Sequence, residues 1–534
     1  MKYRYTAFLA AFIGIGLLSS SCDLREQPKD QISEEEAYKS PQLIYLNTVA
    51  SLYNEVGGDG WSQGLGGADR GLYDMNALSS DELIIPTRGG DWFDGGLWQE
   101  MFLHRWTVDN GIIKGTWDYL YRVVGKANMS LDKLNTLLRD FPDNKNLPIY
   151  IAEVRAFRAM YYSYLLDLYG NVPLVTKSTE KISDVKQSTR SEVYAFVVKE
   201  LQESTPLLSE AHSANLGAYY GRMTQGVGYF LLAKLALNAS VYADDNWADG
   251  SNDGTFAFSI DGKKLNPYEA TIYYCNLIEK IGYTLEPDFS SNFSITNERS
   301  HENIFTIPMD PANYKAENQY LVRSRHYAEA KVYNQDGWNG ASATKEVLAI
   351  FRKGGEDPRL QMTFSTGAVF SSDGKPVMDE GKPLVYKPDA VALVLSGSAD
   401  EKTAGARFCK YAVDPNAQTA GRKVHNDYVL YRFADVLLMR SEALVRLGMN
   451  GDDDLNAVRS RVGAKPRTAT LQTLLDERML ELAWEGHRRT DLIRFGRFND
   501  AINDRPATDP HLRVFPIPAE VLNMNSNLHQ NPKY

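Results

Sequence analysis

Cysteine is scarce in this chain, with three in 534 residues, and one of those lies in the N-terminal leader. The remaining two, Cys275 and Cys409, are too few for the disulfide framework that staples small secreted domains, although they could pair with each other. Cys275 lies in TIYYCNLIEKI, a helical pattern, and reads as a small buried hydrophobe. Positive charge is also short. Lys and Arg number 58 against 68 Asp and Glu, for a net charge of −10. That excludes a general nucleic-acid binder, whose basic surface must displace counterions. Beyond the leader no apolar run reaches the roughly 20 residues needed to cross a bilayer. Catalytic signatures are missing as well. The chain has no G-x-S-x-G, no P-loop, no H-E-x-x-H and no G-x-G-x-x-G opening a helix, and His301-Glu302 has no second histidine four residues on. With 43% hydrophobic and 24% charged residues it is neither disordered nor collagenous, and it is long enough to bury a core without metals.

What is present begins at the N-terminus. Lys2 and Arg4 precede an apolar run from Ala7 to Leu18, then serines up to Cys22. This is the order of a secretory leader over residues 1–21, and the run is too short to span a bilayer. A cysteine at its end fits a bacterial lipoprotein, in which Cys22 takes a diacylglycerol and becomes the mature N-terminus. Ser19 stands where a strict lipoprotein signal has leucine, and the alternative is a secreted protein with a chance cysteine. Two or three acyl chains would hold the body on a membrane firmly. Losing Lys2 and Arg4 takes the mature charge to −12. After a polar tether, Ser33 and Glu36 form a capping box that predicts a helix running towards Glu55.

Several segments repeat apolar residues at helical spacing. Phe157, Met160, Tyr161, Tyr164, Leu165 and Leu168 make one stripe, stopped by Gly170 and Pro173. Tyr229, Leu232, Ala233, Ala236, Leu237 and Ser240 make a second, and Phe433, Val436, Leu437, Ala443, Leu444 and Leu447 a third. Each mixes rings with Ala or Ser, which lets helices approach closely. The expected fold is mainly α: a tetratricopeptide-like helical scaffold carrying a large irregular, loop-rich ligand-binding face. Residues 22–534 form one domain in this reading, with loop-rich regions near 57–115, 243–340 and 363–426.

Four passages, EVRAFRAMYYSYLLDLYGNVPLV, DYVLYRFADVLLMRSEALVRLG, DERMLELAWEGHRRTDLIRFGRF and VFPIPAEVLNMNSNLHQNPKY, together resemble the SusD/RagB family. SSDELIIPTRGGDWFDGG and the lipoprotein start extend the likeness from Cys22 to Tyr534. The resemblance implies a right-handed helical superhelix, a glycan held on the opposing face, an outer-membrane lipid anchor exposed at the cell surface, and a partner. That partner is a TonB-dependent outer-membrane transporter, to which oligo- or polysaccharide is handed. Some relatives serve peptide importers, so a captured peptide is the alternative, and a glycoside hydrolase is a third reading because 68 acids cannot exclude a catalytic pair.

A sugar site needs flat rings with a polar rim. The chain holds 31 Tyr and 8 Trp, five of the tryptophans between residues 61 and 117. Trp106, Trp117 and Trp484 lie in helix-like runs and are expected in the core. Trp98 falls in a helix-like apolar stretch. Trp61 and Trp92 are ringed by glycines, so each is either clamped by another segment or displayed. Trp338, with Tyr333, Asn334 and Asn339 beside it, is the second candidate, its alternative being burial under the following helix. Asp91, Asp94 and Asp74 are expected acceptors for sugar hydroxyls, and Arg407 a donor. Arg323, Arg325, His326 and Lys331 are expected to form a local positive patch. Asp249, Ser251 and Asp253 resemble half of a calcium loop, but Ile260 replaces the bidentate Glu, so an ordinary turn is expected and no cofactor, calcium being the sole exception entertained. Glu485 and His487 lie in a helical run with Arg488, Arg489 and Asp491 and are expected to be structural.

Overall fold

A computed structural model describes residues 34–58, 63–66 and 69–534. The leader, Cys22, the Ser33 half of the capping box and Trp61 lie outside the described residues. The chain divides into two compact units, residues 1–47 and 48–534. The helix expected to start at Ser33 and run towards Glu55 is interrupted once, after Glu34–Ala37; from Pro41 the chain stays helical through Pro41–Tyr45, a π-helical turn at Leu46–Ala50 and Ser51–Gly57. Pro41 has no N–H to give a preceding turn, so it opens the second helix, and Ser40 caps it by accepting from Leu43 N at 3.3 Å.

The second unit is built on helices packed in pairs. Helix α1 is Ser51–Gly57, α2 Leu72–Ser79 and α3 Leu97–Phe102. The long α4 (Gly111–Asp140) packs against α5 (Asn146–Tyr169), and α5 packs against α6 (Arg190–Ser204). Helix α7 (Gln225–Leu237) packs against α8 (Pro267–Ile281). Helix α8 in turn packs against α9 (Phe433–Arg446), which touches α10 (Asp452–Arg461) and α11 (Leu471–Leu482). This is the tetratricopeptide-like pairing that the ring-and-small-residue stripes predict. Gly226 and Gly228 of α7 show the reason for the small residues. A Cβ at Gly226 would stand 2.8 Å from the Tyr283 ring, and one at Gly228 2.4 Å from Thr205 Oγ1.

Local chemistry sets the ends. Asn110 Oδ1 accepts Ile112 N at 3.0 Å to start α4, Thr189 with Glu192 boxes α6, and Asn266 with Glu269 and Pro267 boxes α8. Gly170, at φ 66°, ends α5 where predicted. The helix expected to continue through Ser240 breaks at Asn238, whose amide donates to Lys234 O at 2.8 Å. The three aspartates at 452–454 fill the first turn of α10 and favour its dipole, but Gly451 holds the capping position. Strands β1 (Asn303–Ile307) and β2 (Tyr428–Arg432) pair antiparallel, and β2 runs directly into α9. Every sheet among the described residues has two strands.

The run LAWEGHRRTDL is two helices with a kink between them. Helix α11 stops at Leu482, Trp484 turns left-handed at φ 61°, and α12 starts at Arg488 (Arg488–Arg494). Trp484 is core as expected, stacked 4.8 Å from Phe408. The kink serves a buried lattice of charge. Arg432 reaches Glu302 at 2.8 Å, Glu485 at 2.7 Å and the Glu481 carbonyl at 2.6 Å. Arg359 holds Glu481 at 2.8 Å and Glu477 at 2.7 Å, and Arg461 takes the other oxygen of Glu302 at 2.7 Å. Burial alone would raise Glu481, but Arg461, Arg432 and Arg359 outweigh it and hold that carboxyl well below its ordinary range. Glu485 is committed to Arg432 and Lys410, and burial pushes His487 down to about 4. Both have the structural surroundings expected of them.

Candidate functional site

Two loops far apart in sequence meet on one face of the second unit. The first carries Trp92. Arg88 N donates to Asp91 O at 3.1 Å and Asp91 N to Arg88 O at 2.9 Å, closing a tight turn around Gly89. Trp92, Asp94, Gly95 and Gly96 then all have positive φ, a backbone that a bulky Trp rarely adopts. Long-range contacts hold it there. The Trp92 indole N–H donates to Trp338 O at 2.9 Å, and Gln99 Nε2 donates to Trp92 O at 3.0 Å. The ring lies flat on Gly340, where an added Cβ would stand 2.3 Å from Trp92 Cε2.

The second loop carries Trp338. Trp338 N donates to Val322 O at 2.6 Å, Asn339 N to Arg325 O at 3.0 Å and Gly340 N to Arg323 O at 2.8 Å, stitching the loop onto the Tyr320–Ser324 helix and the residue that follows it. Asn339 turns left-handed at φ 53°. Its Oδ1 accepts from Arg407 Nη2 at 2.8 Å, and its Nδ2 donates to Lys402 O at 3.0 Å. The Arg422 guanidinium lies 5.8 Å from the Trp338 ring centre and pairs with Glu317 at 3.1 Å.

The structure thus joins Trp92 to Trp338, and the choice posed for Trp92 resolves as clamped and half-buried at once, whereas Asn339, expected to meet ligand, is 7% exposed with its amide spent on Arg407 and the Lys402 carbonyl. Trp338 and Tyr333 are half-buried too, with the Arg325 guanidinium 4.9 Å from the Tyr333 ring. Asp91 is exposed, and its carboxylate has no partner among the described residues.

The two charged ligand groups expected here are corrected as well. Asp74 is 0% exposed and is gripped by Arg323 at 2.8 Å, while also accepting Arg70 N at 2.7 Å. Arg407 is 1% exposed, its guanidinium spent on Asn339, Ser342 and the Lys402 carbonyl. Both support the face from beneath, because a carboxylate or guanidinium buried here keeps its charge only with partners. The expected positive patch is corrected for the same reason. Arg323, Arg325 and His326 are buried, leaving Lys331 at the surface. Asp94 is exposed but paired with Arg70 at 3.1 Å, and it accepts the Trp98 indole N–H at 2.7 Å. Trp98, Trp106 and Trp117 are core.

Two rings were missed. Phe93, beside Trp92, is 56% exposed, and Tyr314 is 47% exposed. The glycines around Trp92 flank Phe93 equally, so TRGGDWFDGG signals both. Tyr314 has no comparable signal. Cys275 and Cys409 are both free thiols, Cys275 buried. Asp249 accepts Ser251 N at 2.7 Å and Asn246 Nδ2 at 2.7 Å, an ordinary turn, and no group of three potential metal ligands occurs among the described residues. No described helix is long and apolar enough to cross a membrane.

Comparison with known proteins agrees with this architecture. A model described as "SusD family" matches residues 301–534, and one described as "Starch-binding associating with outer membrane" matches residues 76–237. Starch-binding protein SusD of Bacteroides thetaiotaomicron is 24% identical across 100% of this chain and 99% of its own length. SusD-like protein P25 of Formosa agariphila is 23% identical across 95% of this chain and 94% of its own. Among solved structures, a laminarin-binding SusD-like protein superposes with a TM-score of 0.67 at 23% identity, over 93% of this chain and 100% of that one. Surface glycan-binding protein A of Bacteroides thetaiotaomicron, in complex with laminarihexaose, superposes with a TM-score of 0.68 at 22% identity, over 92% and 99%. Helices α4, α5, α6 and α7, the kinked ELAWEGHRR segment and the C-terminal PIP…NPKY element lie within the matched residues, and the chain belongs to the SusD/RagB family.

Proposed function

We propose that this protein is a lipid-anchored, surface-exposed outer-membrane protein. It binds neutral oligo- or polysaccharide without cleaving it and hands it to a TonB-dependent transporter. Cys22 is the anchor, freed by removal of residues 1–21. The observation that carries the reading is the clasp between Trp92 and Trp338, which sets two half-buried rings on one face with exposed Phe93, Asp91 and Asn334 around them. Pyranose C–H patches lie on such rings, and the rim groups take hydroxyls. The mature charge of −12, which is −10 less the two cations Lys2 and Arg4, suits a neutral glycan better than a polyanion. Relatives named for starch and laminarin make glucans the first ligands to try.

Calorimetry of residues 23–534 against malto- and laminari-oligosaccharides, with a peptide mixture as control and product analysis on each sample, tests this. Heat on one glucan series with no products supports it. Products would replace it with a hydrolase, and heat from peptides alone would replace it with peptide capture.

A further inference from the structure

A concavity opens between α1, the 220–222 turn, the end of β1 and residues 313–316. Its volume is about 520 Å³. That falls within the roughly 300–1,000 Å³ of small-ligand sites, and its make-up matches theirs: apolar and aromatic walls with a few polar groups at the mouth. Ile307, Pro308 and Tyr220 form wall, and Asn54, Tyr314 and Lys315 stand at the exposed mouth.

The walls are fixed. Gly221 turns left-handed at φ 67°, and a Cβ there would stand 2.4 Å from Pro308 Cγ, so the turn lies against the proline. Behind it Glu153 binds Arg222 at 2.6 Å and accepts the Tyr53 hydroxyl at 2.6 Å, and the Tyr220 hydroxyl donates to Asp427. The nearby carboxylates are therefore committed. By contrast the Asn54 amide, the Tyr314 hydroxyl and the Lys315 ammonium have no hydrogen bond or ion pair among the described residues.

The mouth is tied to the ring face by one short stretch of chain. Lys423 Nζ donates to Tyr314 O at 2.9 Å, and the preceding residue, Arg422, is the one set over Trp338. The geometry points to a second saccharide subsite: the cavity takes one or two further sugar units of the neutral glycan whose other units rest on the Trp92–Trp338 face. The apolar wall meets C–H groups, and the three uncommitted donors meet hydroxyls. This rests on the glycan-binding reading above.

The test is calorimetry on residues 23–534 with malto- and laminari-oligosaccharides of two, four and six units. The wild type is compared with Asn54→Trp, which roofs the mouth from an exposed position, with Lys315→Ala, also exposed, and with Trp338→Ala. In the wild type, affinity for the better series rises about tenfold or more between two and six units, the equivalent of one good added contact. Asn54→Trp removes most of that rise and leaves disaccharide affinity within about twofold, and Lys315→Ala lowers hexasaccharide affinity about threefold. Melting temperatures confirm that the variants are folded. Hexasaccharide binding unchanged in both mouth variants but lost in Trp338→Ala would overturn the subsite and leave the face standing. Equal affinity for all lengths would overturn it too. Silence from the wild type on every length would remove the face and the subsite together.

Discussion

The kinked ELAWEGHRR region and the Trp92–Trp338 face use the same residue types to opposite ends. In the first, the side chains of Arg432, Arg359 and Arg461 and of the glutamates at 302, 477, 481 and 485 are buried and committed to one another and to neighbours such as Lys410, Asp357 and Arg459. In the second, Arg407, Asn339 and Asp74 are spent from below so that Trp92, Trp338, Phe93 and Asp91 are held above with capacity to spare. A family motif made of committed charge fixes a scaffold, whereas the ring face keeps groups uncommitted.

That contrast breaks most sharply at Arg432. Arg432→Met strands Glu302, Glu481 and Glu485 without their shared cation, and loss of one partner of a buried pair costs roughly 3–5 kcal/mol. Denaturant unfolding measures it, and glycan affinity of the folded fraction should not move. A loss below about 1 kcal/mol would mean the lattice is not what holds this region.

Next in size is a pH effect. Burial pushes His487 down to about 4, so the unfolded chain takes up this proton first as pH falls. Its contribution is full above about pH 6.5 and is lost on acidification towards 4, by about 3 kcal/mol in all. His326, beneath the ring face, is pushed down to about 3 by burial and then by Arg407, and it adds to the loss in the same direction. His487→Gln should flatten part of the slope when unfolding free energy is followed against pH. An unchanged slope would place the titration elsewhere.

Gly340→Ala should cost about 1–3 kcal/mol as its methyl displaces the Trp92 ring, and glycan affinity should fall with it. Retained affinity would show that the ring's position on Gly340 is incidental. Smallest in stability is Trp338→Ala, expected within about 1 kcal/mol of wild type by thermal melting, because the half-buried ring leaves its main-chain carbonyl to Trp92. Affinity is expected to drop about tenfold, and a fall in melting point without a fall in affinity would assign Trp338 to packing instead.

The helical scaffold was legible because a stripe such as Phe157–Leu168 needs only local spacing to be recognised. The end of α11 was not. Nothing in LAWEGHRR by itself shows that Trp484 must turn left-handed so that its N–H can reach Glu82, 402 positions earlier. The same gap explains the site. TRGGDWFDGG points to a loop that carries exposed and half-buried rings, yet the fates of Asp74 and Arg407 depend on Arg323 and Asn339, 249 and 68 residues away. A short-range reading finds rings in loops; it does not find which charges those loops consume.

The Trp92–Trp338 hydrogen bond joins residues 246 positions apart, and Arg488 holds Asp81 across 407. Closing loops of that length costs more chain entropy than closing short ones. A chain cut short anywhere before residue 338 cannot assemble the face at all, however well its first helices fold. An assembled ring face therefore reports that segments 246 positions apart have already met.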